Sequence, residues 1–176
     1  MNRHLAIGLA FLLLTSVAST ACAETINLDE MRRQALAGLP LLQGGEVSAE
    51  SLEGRVVVLT FFASWCPPCH VEFDYLNSVR QSYPEAEVAV VAVNIFEDHL
   101  PTPGGLDGFL AKKAPAFTIL GEGEGVAASF GDVDRIPTLF VFGPDGAPLL
   151  HFIHARGAKK THAGLEEITA AVEAGL

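Results

Sequence analysis

The amino-acid sequence predicts an α/β domain with a central mixed β-sheet flanked by helices. Three observations lead there. Two runs, "RVVVLTFFA" at 55–63 and "AEVAVVAVNIF" at 86–96, are apolar almost throughout, as strands covered on both faces must be. Helical spacing between them calls for a right-handed crossover, so the pair is parallel. Later, "RIPTLFVF" and "APLLHFIHA" flank the turn "GPDG", which makes an antiparallel hairpin.

The elements follow in order. "NLDEMRRQALA", 27–37, places Leu28, Met31, Ala35 and Leu36 on one helical face and stops at Gly38 and Pro40. "LLQGGEVSAESLEG", 41–54, reads as turns. The strand 55–63 has one polar residue, Thr60. "CPPCHVEFDYLNSVRQSYP" has Val71, Tyr75 and Val79 at helical spacing, with prolines at its start, where their missing N–H costs nothing, and Pro84 as its stop. After the second strand, "PTPGGLDGFLAKKAP" yields a helix and "GEGVAASFG" a shorter one; "THAGLEEITAAVEAG" is an amphipathic helix at the end. From residue 54 the order is β-α-β-α-(α)-β-β-α, which sets Cys66 beyond the C-terminal end of a central strand and at a helix start.

The chain opens with Arg3, the apolar run "LAIGLAFLLL" and then small residues up to Ala21-Cys22-Ala23. This is the order of a secretory signal with cleavage after Ala23. The run is shorter than the roughly 20 apolar residues of a membrane span. Ser19, three before Cys22, is a poor fit for lipid attachment there. The organisation expected is a signal peptide at 1–23, an N-terminal extension of helix and turn at 24–47, and the main domain at 48–176. The formal charge is −10, which argues against nucleic acid or anionic lipid as a partner, since either would be repelled.

Removal of the leader leaves two cysteines, Cys66 and Cys69, spaced C-P-P-C. In an oxidising compartment such a pair reads as a disulfide couple. A helix N-terminus favours a thiolate, so Cys66 is the expected exposed nucleophile and Cys69, deeper on the same face, the resolving thiol. Neither Pro67 nor Pro68 offers an N–H to the thiolate. A structural zinc site would need two further ligands, and none is evident. An inert disulfide closing so small a loop would be a poor staple.

"VVVLTFFASWCPPCHVEF", followed by "FGDVDRIPTLFVFGPDG", resembles the thioredoxin superfamily, and within it the TlpA/ResA/CcmG-like thiol–disulfide oxidoreductases of the bacterial cell envelope. The likeness spans about 48–176 and implies a thioredoxin-like fold. It implies an exported, periplasmic or otherwise extracytoplasmic monomer that reduces protein disulfides, such as those of apocytochrome c or of a metal-insertion partner. Electrons would come from a membrane donor of the DsbD/CcdA kind. No cofactor is implied beyond the redox-active Cys66–Cys69 disulfide. It further implies a cis bond at Ile136-Pro137, with Ile136 offering its backbone to substrate, Trp65, Pro67 and Pro68 around the thiols, and Glu72 assisting proton transfer. A solvated helix glutamate is the plain alternative for Glu72.

Two departures from that family stand out. Thr60 occupies the place where thioredoxins proper carry a buried aspartate. Asp74 replaces a helix-kinking proline, which leaves the kink absent or moved. His70 is expected to be exposed, and Glu97-Asp98-His99 a solvated loop despite its ligand-like look. Competing readings are a disulfide-donating oxidase, which lacks an inserted helical domain, and a copper metallochaperone using Cys66 and Cys69. The latter normally needs a His or Met ligand as well, and past the leader only Met31 remains, with no histidine obviously placed.

Overall fold

The computed structural model describes residues 25–154 and 156–176; the leader, with its cleavage site and Cys22, lies outside them. Helix α1 (Glu30–Ala37) begins at Asp29, whose carboxylate accepts from Arg32 N–H, a standard N-cap. Strand β1 (Leu41–Gln43) and the short α2 (Ala49–Leu52) lead into β2 (Val56–Phe62), every residue of which is buried. Helix α3 (Pro67–Ser82) crosses to β3 (Val88–Asn94), which is parallel to β2 in the register Thr60 to Ala92. A 3₁₀ turn (Glu97–His99), α4 (Gly105–Lys113), β4 (Thr118–Leu120), α5 (Glu124–Ala127) and a second 3₁₀ turn (Ala128–Phe130) follow. The hairpin β5 (Thr138–Phe142) and β6 (Pro148–Ile153) and the helix α6 (Leu165–Gly175) complete the chain. The sheet order is β1-β4-β3-β2-β5-β6, with β2, β3 and β4 parallel and the other pairings antiparallel. This is the mixed α/β architecture that the apolar runs and the hairpin require.

Strand alternation assigns β2 two roles. Phe62 faces α3 and α4, with its ring 4.6 Å from Phe73 and 5.5 Å from Phe109. Phe61 faces the opposite layer, 5.5 Å from Phe130. Each such phenylalanine, fully buried, contributes about 2–3 kcal/mol of apolar transfer energy. Thr60 shares the face of Phe62, so the one polar residue of the strand points toward α3.

Three expectations need correction. "LLQ" at 41–43 is a strand paired with β4 rather than a turn, and "TIL" at 118–120 is a strand the pattern did not show. Both are three residues long, too short for periodicity, and they are fixed by sheet pairing, β1 on β4 and β4 on β3 as well. Met31, expected on the apolar face of α1, is exposed, while Arg32 is buried. The Arg32 guanidinium donates to Ser129 O, Asn27 O and Asp29, and it lies over the Phe130 ring; these contacts offset the cost of burying it. Among the described residues no helix is long and apolar enough to cross a membrane.

Candidate active site

The end of β2 turns through Ala63–Trp65 directly into α3, and Cys66 is the N-cap of that helix. Because Pro67 and Pro68 occupy the first two helical positions, the first free donor is the Cys69 N–H, 3.3 Å from Cys66 Sγ and 3.0 Å from Cys66 O. That amide supplies what the two prolines cannot. The two sulfurs are joined in a disulfide with the Cα atoms 5.3 Å apart. Cys66, expected to be exposed, is 2 % exposed and Cys69 is fully buried. In the oxidised state Cys66 is part of the core cluster, together with Ile136 and Phe62. Pro67 is exposed and Pro68 half-buried.

One turn below Cys69, Glu72 is completely buried. Thr60 Oγ1 donates to its Oε1 at 2.5 Å, while Oε2 has no hydrogen-bond partner. Burial raises the Glu72 pKa to about 7, and the Thr60 bond, which favours the charged form, holds it from going higher. A solvated helix glutamate does not fit this environment. Asp74 lies on the opposite side of α3, where Lys113 of α4 donates to both of its oxygens at 2.9 Å; the helix continues through this position.

The other wall of the site is the segment before β5. The Ile136–Pro137 peptide is cis. Ile136 O accepts from His154 Nδ1 at 3.1 Å, so that ring nitrogen carries the proton. Thr138 Oγ1 donates to Arg135 O and closes the turn around the proline. Trp65, half-buried, donates Nε1–H to Phe96 O and stacks with His99. A groove of about 260 Å³ runs between Trp65, Phe96 and His99 on one side and Arg135, Ile136 and His154 on the other. A second recess of about 330 Å³, lined in part by His70 and Phe109, opens on the far side of Trp65.

Sequence reasoning missed several of these groups. His70 is half-buried, with its Nε2 2.9 Å from Ser64 O and its ring edge-on to Phe109. Glu97 is no solvated loop residue: it accepts from Ser64 N–H, the Ser64 hydroxyl and Asn94 Nδ2. It thereby fastens the loop before Cys66 to the end of β3. A carboxylate just past a buried strand, facing a Ser, was the available signal. His154 at the end of the hairpin gave none. Among the described residues no three His, Cys, Asp or Glu side chains converge to hold a metal ion.

Chemically, the site offers a disulfide at a helix N-terminus, a carboxyl group one turn away whose pKa burial raises to about 7, and a groove lined by Trp65, the neighbour of Cys66, and by Ile136. Comparison with known proteins agrees with this geometry. The family model Redoxin matches residues 16–162. The chain is 26% identical over 128 residues to the thiol-disulfide oxidoreductase ResA of Bacillus thuringiensis (strain Al Hakam), covering 73% of this chain and 72% of that protein. Among solved structures, it resembles a putative thiol:disulfide interchange protein DsbE from Chlorobium tepidum at 32% identity and TM-score 0.57, over 77% of this chain and 94% of the other. It also resembles MTB dsbF, solved in mixed oxidized and reduced forms, at 30% identity and TM-score 0.61, over 81% and 97%.

Proposed function

Because the chain belongs to the redoxin family, and is a ResA/CcmG-like thiol–disulfide oxidoreductase of the thioredoxin superfamily, we propose that it reduces disulfides of exported proteins with Cys66 and Cys69. The observation that carries this reading is the Cys66–Cys69 disulfide in the first turn of α3, with the Glu72 carboxyl buried one turn below. In the reduced protein the Cys66 thiolate attacks one substrate sulfur, forming a mixed disulfide and expelling the other sulfur as a thiolate. Cys69 gives its proton to the Glu72 carboxylate and attacks Cys66 Sγ. The Cys66–Cys69 bond forms and the second substrate sulfur leaves. Two electrons pass to the substrate; one of its thiolates takes the proton that Glu72 returns, and the other takes a proton from water. An acid whose pKa is about 7 is present in both forms near neutral pH, which suits it to take and return that proton.

Trp65, Ile136 and Pro137 serve as the substrate edge, with Pro67 and Pro68 holding the thiol turn rigid. Apart from the Cys66–Cys69 couple the reaction takes no cofactor. The protein acts as an extracytoplasmic monomer after cleavage at Ala23, and is re-reduced by a membrane donor of the DsbD/CcdA kind. Apocytochrome c, or a partner awaiting metal insertion, is the substrate class that the resemblance supports. The test is trapping. Cys69→Ser removes the resolving thiol, so disulfide-linked partners accumulate on Cys66 in cells, and Cys66→Ser/Cys69→Ser captures none. Failure of the single variant to retain any partner would contradict action on protein disulfides.

A further inference from the structure

Thr60 Oγ1 lies 2.5 Å from Glu72 Oε1 and 3.3 Å from Thr138 O. A hydroxyl has one hydrogen and two acceptor lone pairs. When Glu72 is ionised both neighbours can only accept, and the single hydrogen serves the stronger acceptor, the carboxylate. When Glu72 is protonated its O–H donates to Thr60 Oγ1, which frees the Thr60 hydrogen for Thr138 O. We propose that Thr60 is the positioning residue for Glu72, turning its hydroxyl between the Glu72 carboxylate and the Thr138 carbonyl as Glu72 loses or gains its proton.

The surroundings leave this task to Thr60. Among the described residues Glu72 Oε2 has no partner and Oε1 has Thr60 alone. The elements packed on α3 bring no charge to it: Lys113 of α4 is held by Asp74, and His162, ahead of α6, lies against Tyr75. On α3 itself Arg80 donates to the Val88 and Tyr83 carbonyls. On the inner face the nearest sulfurs, Cys66 and Cys69, are joined in the disulfide and carry no titrating proton in the oxidised protein. Thr138 in turn closes the Arg135–Thr138 turn through its own hydroxyl, and Arg135 and Ile136 line the groove beside Trp65. Three hydrogen bonds thus connect the charge on Glu72 to Arg135 at the groove edge.

This inference deepens the role given to Glu72 above, and its test is independent of that role. The oxidised, substrate-free protein, labelled with ¹³C at glutamate side chains and at threonine carbonyls, is titrated by NMR. The wild-type Thr138 carbonyl signal is expected to move with the same midpoint as the Glu72 carboxyl; a flat Thr138 signal would overturn the proposal without any variant. In Thr60→Val the Glu72 midpoint rises by about one unit, the order of a hydrogen bond to a carboxylate, and Thr60→Ser restores it. An unmoved midpoint in Thr60→Val, or a shift that Thr60→Ser fails to reverse, would also overturn it. Exchange rates of Glu72→Gln that match wild type at every pH would instead remove the proton-transfer role of Glu72 and leave the Thr60 assignment standing.

Discussion

Helix α3 carries two carboxylates two residues apart, and its two faces treat them in opposite ways. Glu72, on the inner face with Cys69, Phe73, Leu76 and Val79, is sealed from water with one donor, Thr60. Asp74 stands on the outer face with both oxygens on Lys113 and most of its side chain in solvent. Two residues turn a helix by about 200°, so chemistry near the sulfurs is available to one and not to the other. The difference teaches that the acid–base capacity of the site comes from burial against β2, and not from the number of acidic residues near the C-P-P-C motif.

The largest effect expected from breaking this contrast is at Glu72. Its folded pKa, about 7, lies above the ordinary value of 4.5. Between those values the native state holds a proton that the unfolded state has lost, so stability falls as pH rises through the window and levels off above about 7. At about 1.36 kcal/mol per pKa unit the span amounts to roughly 3 kcal/mol. Denaturant unfolding of oxidised Glu72→Gln at pH 5 and pH 8 should therefore show wild type losing roughly 2–3 kcal/mol more than the variant over that interval, most of the full span. Equal pH dependence would mean that the carboxyl is not held in the core.

The smaller effect is on the outer face. Asp74→Asn removes an ion pair whose carboxylate is exposed, and the expected cost is at most about 1 kcal/mol, shrinking as salt is added. A larger loss that does not respond to salt would show that the Asp74–Lys113 contact fixes the course of α3 as a proline kink does in other members of the superfamily.

Much of this arrangement was legible in the sequence. The helix start at Cys66 followed from an apolar strand running into two prolines, and the i, i+3 spacing put Glu72 on the face of Cys69. Thr60 could be marked as the polar exception in β2, but not as the partner of Glu72, because strand-to-helix contacts across a crossover leave no local pattern. The strands at 41–43 and 118–120 were hidden for a related reason: each is defined by its neighbour in the sheet. Glu97 was misread because its ligand-like run sits in a loop. What holds it is a serine 33 positions earlier, whose N–H and hydroxyl donate to its carboxylate.

Thiol exchange at Cys66 and Cys69 is the central claim, and titration of the native oxidised protein with dithiothreitol tests it most directly. Under native conditions the pair should pass through one reversible two-electron transition, with alkylation of the reduced form labelling Cys66 before Cys69. A disulfide that stays intact until the protein is unfolded would make the pair a structural staple and contradict that claim.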